Sequence, residues 1–186
     1  GGCMHLVDSL GRHKDLDYVC CLHEQAAAIA AESYAQHTNN IGVALVTTGP
    51  GGTNTITGVS AAWIDSTPVI FISGQVKRSD LMGCSGVRQM GPQEVNIVPI
   101  IQSITKYATT VTEPQKIKAI LEEAYYLATT GRKGPVWIDI PLDVQATEID
   151  VDTLVELTST NIETGEPGLT HIKRALESGI NVVTGN

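Results

Sequence analysis

Ile41-Gly42-Val43-Ala44-Leu45-Val46-Thr47-Thr48-Gly49-Pro50-Gly51-Gly52-Thr53-Asn54 is the stretch that decides the fold. Residues 41–47 form a continuous apolar run, the pattern of a strand buried on both faces. A Gly-Pro-Gly-Gly turn follows, and the residues from about Thr53 to Trp63 read as a helix.

The same alternation extends outward in both directions. Upstream, residues 17–22 read as a short strand, and Glu24 to about His37 as an Ala-rich helix of high propensity, broken by Asn39-Asn40. Downstream, Pro68 to Ser73 reads as a second buried strand ended by Gly74. Residues 75–95 read as a long loop of the kind that carries a site. A short helix is expected over 95–104 and an edge strand from Tyr107 to Val111. Pro114 to Thr130 reads as a helix with one buried stripe through Ile117, Ile120, Leu121, Ala124, Leu127 and Ala128, and Gly131 as its C-cap. Gly134 to Ile140 is the last clear strand, closed by Pro141. Strands alternating with helices predict an α/β fold, a three-layer α/β/α arrangement around a mostly parallel central sheet. Ligands of such sheets bind beyond the carboxyl ends of the strands, where both Glu24 and the glycine turn fall.

Length and composition bound the rest. The 186 residues have room for one good-sized domain and additional material. Residues 145–167 hold six acids and no Lys or Arg, and read as an acidic linker. Beyond it, Leu169 to Glu177 reads as a helix and Ile180 to Thr184 as a strand. One helix and one strand cannot bury a core. The expected organisation is therefore a domain over 1–144, a linker over 145–167 and the start of a truncated central domain over 168–186. The chain opens on Gly1-Gly2 without Met, so a trimmed amino end is expected.

A net charge of −8 with no Lys/Arg cluster argues against nucleic acid as a partner. No apolar run reaches the length of a membrane span, and no signal peptide is visible. The four cysteines, Cys3, Cys20, Cys21 and Cys84, show no C-x-x-C spacing. They read as free buried thiols of a reducing, cytoplasmic compartment rather than zinc ligands.

Read alone, Glu24 is a carboxylate at a helix start, where the dipole favours the anion by ~0.3–1 kcal/mol and burial opposes it. Glycine turns before helices can cradle phosphate, but no Gly-Lys-Ser/Thr follows this one, which excludes a P-loop. His23-Glu24 lacks the second His that a zinc-protease motif requires, since position 27 is Ala27. No Gly-x-Ser-x-Gly elbow is present. Asp65 reads as fixing the turn before Pro68.

Taken in order, His23-Glu24-Gln25, Thr48 to Asn54, Asp65 to Pro68, Ser73-Gly74-Gln75-Val76, Pro92-Gln93-Glu94, Ile104-Thr105-Lys106 and Gly131 to Val144 carry a specific likeness. Over nearly all of residues 1–145 the chain resembles the pyrimidine-binding (PYR) domain of thiamine-diphosphate (ThDP) enzymes of the acetolactate synthase-like group. The resemblance implies that Glu24 is catalytic, bonded to N1′ of the cofactor's aminopyrimidine and stabilising the imino form that deprotonates the thiazolium. It implies that Pro50 and Asn54 line the pyrimidine pocket with Glu24, and that Gln93 reaches into the active site.

It also implies a reaction, in which pyruvate is decarboxylated and its two-carbon unit joined to a second 2-oxo acid. The family holds the diphosphate and Mg²⁺ on another domain, through a Gly-Asp-Gly stretch ending in Asn-Asn; Asn39-Asn40 has no such stretch before it. The resemblance thus implies half a site, completed by another subunit of a homodimer or higher oligomer, and an inert isolated chain. Ala-rich faces around 26–35 and 57–62 suit subunit packing and core packing equally. Whether FAD is bound stays open. Two departures put the substrate in question: the loop from Gln75 to Gln93 is longer than in typical acetolactate synthases, and Pro92 stands where the family has Phe. The alternatives are another ThDP-dependent decarboxylase or carboligase, for instance in surface-sugar synthesis, and a non-catalytic ligand-binding or assembly module.

Overall fold

Asn39, in the left-handed conformation at φ 57°, ends an Ala-rich helix and releases the chain into the first strand. That helix is α2 (Glu24–Thr38), preceded by α1 (Met4–Arg12) and followed by β1 (Gly42–Val46). The chain continues through α3 (Pro50–Thr53), α4 (Ile56–Ile64) and β2 (Val69–Gln75). After a long loop come α5 (Ile97–Ile101), β3 (Tyr107–Thr110), α6 (Ile117–Thr129), β4 (Val136–Pro141) and α7 (Leu142–Gln145). The structure, a computed structural model, describes residues 1–149 and the backbone of 153–156 and 181–184.

Four strands make one sheet in the order β1-β2-β4-β3, and every pair is parallel. Side chains alternate between its faces. Phe71 and Trp137 point to one side, stacked with ring centroids 5.6 Å apart, where Ala28, Ala31, Ala35, Val59, Ala62, Ile97 and Ile101 from α2, α4 and α5 cover them. Ile70, Val136 and Ile138 point to the other, against Ala124 and Ala128 of α6. This is the expected three-layer α/β/α arrangement. Both central strands are covered on both faces, which is why they read as unbroken apolar runs.

Four local expectations are corrected. Residues 17–22 are not a strand: they carry no ladder, and Val19 and Leu22 are exposed. An apolar run becomes a strand only where a neighbour offers backbone partners, and no described strand pairs with this one. Cys20 and Cys21 are consequently exposed, as is Cys84, although all four thiols are free. The helix expected from Thr53 begins at Pro50, and the segment divides into α3 and α4. Gly74 does not end its strand. It lies within β2, where a Cβ would fall 2.1 Å from the Gly2 carbonyl oxygen, so glycine here permits a close backbone approach.

The described residues divide into two compact units, Gly1–Thr147 and Glu148–Asn186. In the second, β5 (Thr153–Glu156) and β6 (Asn181–Thr184) pair in parallel. β5 lies inside the stretch expected to be a linker. The helix expected over 169–177 lies outside the described residues. No helix among the described residues is long and apolar enough to cross a membrane.

Candidate active site

Because all four main strands run the same way, the turn after β1 opens at the carboxyl edge of the sheet. Gly49 makes that turn with φ 64° and ψ −117°, a conformation that side-chain-bearing residues avoid. Pro50 then takes the first helical position of α3, where its missing N–H costs nothing. The turn is closed by two backbone bonds, Thr53 N–H to the Gly49 carbonyl and Asn54 N–H to the Pro50 carbonyl, both 2.9 Å. Pro50 and Asn54 are left on the surface, while Gly51 and Gly52 are buried.

Glu24 arrives from the other side. His23 is the N-cap of α2, its Nδ1 accepting the Gln25 N–H at 3.1 Å, so Glu24 opens the helix. The half-buried Glu24 carboxylate meets the glycine turn directly: Asn54 Nδ2 donates to Glu24 Oε2 at 3.0 Å. The other oxygen, Oε1, faces Gly51, 3.6 Å from where a Cβ would stand. The Asn54 hydrogen bond, followed by a backbone hydrogen bond at Glu24 itself, holds this carboxyl below its ordinary range despite partial burial. Glu24 is therefore an anion at neutral pH, at the positive end of a helix.

Gln93 comes to the same turn from the long loop. It has φ 59°, uncommon for a residue with a side chain. A Cβ on Gly49 would lie 2.0 Å from the Gln93 carbonyl oxygen and 3.3 Å from its Cβ, so only glycine lets the two segments touch. All four residues expected at a site, Glu24, Pro50, Asn54 and Gln93, thus converge on the turn at Gly49–Asn54.

Two buried carboxyls near this edge lie in stretches that carry the resemblance but have no role assigned from sequence. Asp139 on β4 is 2 % exposed and accepts from Ser73 Oγ at 2.6 Å, Gln75 Nε2 at 3.0 Å and Thr110 Oγ1 at 3.2 Å, tying β2, β4 and β3 together. Burial pushes its pKa up to about 6, and the three hydrogen bonds hold it from rising further. Glu94, beside Gln93, is also buried and accepts three backbone N–H groups of the loop.

Residues 1–100 match the family model of the thiamine pyrophosphate enzyme N-terminal TPP binding domain. The chain belongs to this family. Glu24, the glycine turn, Asn54 and Gln93 all lie within the matched residues. The chain is 40% identical over 149 residues to the acetolactate synthase large subunit of Lactococcus lactis, covering 80% of this chain and 25% of that one. It is 48% identical over 128 residues to the acetolactate synthase of Arthrospira platensis, covering 69% and 21%. It thus spans about a quarter of the length of these curated relatives. Among solved structures, a putative thiamin diphosphate-dependent enzyme from Mycobacterium smegmatis matches at a TM-score of 0.62 and 25% identity, over 71% of this chain and 24% of that one. The fold and the acetolactate synthase-like resemblance stand together.

The residues at the turn fit the pyrimidine end of the cofactor. They offer an ionised carboxylate, a carboxamide, a proline ring and a glycine with no side chain to obstruct a flat heterocycle. No group of three or more His, Cys, Asp or Glu that could hold a metal ion is found among the described residues.

Proposed function

We propose that this chain supplies the pyrimidine half of the active site of an acetolactate synthase-type enzyme, which decarboxylates pyruvate and transfers the two-carbon unit to a second 2-oxo acid. The observation that carries the reading is the convergence of Glu24, Asn54 and Gln93 on one glycine turn at the carboxyl edge of a parallel sheet. ThDP, when bound, would supply the nucleophilic carbon that this chemistry needs. Glu24 holds and returns the proton at pyrimidine N1′. Asn54 orients that carboxylate, and Pro50 borders the ring. The anionic state of Glu24 suits it to accept this proton. Gln93 faces the substrate side.

The diphosphate and Mg²⁺ belong, in this proposal, to a domain outside this chain and to another subunit of a homodimer or higher oligomer. The exposed side of α2 supports such packing, with Ala26, Ile29, Ala30 and Ser33 at helical spacing on one face. FAD is left open, and the compartment proposed is the cytoplasm. By this reading the isolated chain turns over no substrate. A second reading keeps the cofactor chemistry but changes the keto acid; the loop over 81–93, exposed from 83 to 90, and Pro92 beside Gln93 favour it.

The test is Glu24→Gln in the full-length protein, supplied with ThDP and Mg²⁺ and assayed for pyruvate consumption. A loss of ~10²–10⁴ in kcat is expected, because the amide can bond to N1′ but not exchange its proton. Unchanged consumption would overturn the enzyme reading.

A further inference from the structure

One carboxylate closes the long loop. Glu94 is 5 % exposed. Its Oε1 accepts the Met82 N–H at 2.6 Å, and its Oε2 accepts the N–H groups of Met90 at 2.8 Å and Gly91 at 3.2 Å. Met82 and Met90 flank an excursion, residues 83–89, in which every residue is exposed. A single side chain therefore draws together both ends of an Ω-loop. Backbone N–H groups need acceptors when water is excluded, and this one side chain supplies them to three.

Gln93 stands immediately before this clamp. Its positive φ is a strained conformation for a side-chain-bearing residue, and such strain persists only where the surroundings over-determine it. Two restraints do so: on one side its carbonyl abuts Gly49, and on the other Glu94 is anchored three times. The residue after the clamp is fixed too, since Gln75 Nε2 donates to the Val95 carbonyl at 3.0 Å. None of the three Glu94 contacts reaches the Glu24–Asn54 pair; the link to that pair runs through Gln93.

We infer that Glu94 is a positioning residue: its carboxylate pins the loop ends so that Gln93 is held against Gly49 at the mouth of the site. The inference rests on the proposed active site. It adds the device that aims Gln93, and it makes the exposed excursion replaceable as long as its ends stay clamped.

A double-mutant cycle in the full-length enzyme tests it, with Glu94→Gln, Gln93→Ala and the pair assayed for kcat/KM toward pyruvate. Glu94→Gln turns an acceptor into an NH2 group that faces a backbone N–H. It is expected to lower kcat/KM by ~10- to 10²-fold, the scale of an ångström-level misplacement. In the Gln93→Ala background the same change is expected to cost less than twofold, because the residue it positions is gone; about twofold is the resolution of additivity in such cycles. Amide hydrogen exchange at Met82 and Met90 is expected to accelerate in both Glu94 variants. Multiplying penalties, a fully active Glu94→Gln, or a fully active Gln93→Ala would each overturn the inference. Should Glu94→Gln fail to fold, Glu94→Asp, one methylene too short to reach both loop ends, takes its place in the cycle. Glu24→Gln in the same assay reports separately on the active-site reading: if it retains full turnover while the cycle is non-additive, that reading fails and the Glu94 clamp stands.

Discussion

Asn54 Nδ2 donates to Glu24 Oε2 at 3.0 Å, joining two residues thirty positions apart. The bond does two things. It fixes the direction of the carboxylate, and it is the largest of the influences that hold Glu24 anionic. Asn54→Ala is therefore expected to raise the pKa of Glu24 toward its ordinary value. Carboxyl-carbon NMR titration of the chain with and without the substitution reads the shift. An unmoved or lower pKa in the variant would mean that Asn54 does not control Glu24.

Gly49 and Gly131 share one backbone angle and differ in their surroundings. Both have φ 64°. At Gly131 an added Cβ meets nothing within 4 Å, whereas at Gly49 it would strike the Gln93 carbonyl at 2.0 Å. Gly131→Ala is expected to cost ~1 kcal/mol, the strain of the left-handed backbone alone. Gly49→Ala meets a backbone strain of its own, at ψ −117° outside the left-handed well, and a backbone collision, so an added ~1–3 kcal/mol is expected together with displacement of Gln93. Thermal unfolding of the two variants side by side measures the difference; equal losses would mean that the loop does not press on the turn.

Asp139 gives stability a pH signature. Its folded pKa lies near 6, above the ordinary 3.8, so the fold favours the protonated acid. The stability this group contributes is full below about pH 4 and is lost as pH rises through about 6. Asp139→Asn never ionises. Relative to the parent chain, the variant is expected to gain stability between pH 4 and pH 7, by at most ~3 kcal/mol. Urea unfolding of both proteins across that range reads the difference; a gap that does not change with pH would contradict the titration.

Much of this architecture was legible because central strands of a parallel sheet are apolar on both faces. Val69 to Phe71 and Val136 to Ile138 are buried throughout, and so read as unbroken hydrophobic runs. The same logic misled at residues 17–22, since a strand requires a ladder as well as a side-chain pattern. Pro50 at the first turn of α3 was a readable signal for an earlier helix start. His23 as a cap was harder, because imidazole is not among the usual capping groups.

At the site, the motif named Glu24, Asn54 and Gln93 but not the bond or the contact that joins them. Glu94 lies in the same motif, but its role could not be found that way. Its partners are the backbone N–H groups of Met82, Met90 and Gly91, which almost any residue offers. Asp139 was hidden for a different reason: its three donors come from β2 and β3, and only the sheet register brings them together.

The central claim, that Glu24 serves the pyrimidine of ThDP, is tested most directly by a crystal structure of the full-length protein with ThDP and Mg²⁺ bound. A Glu24 carboxylate oxygen ~2.6–3.2 Å from N1′ is predicted, with the ring lying over Gly51 and next to Pro50. A pyrimidine bound elsewhere, or a Glu24 that still faces solvent with the cofactor in place, would contradict the account.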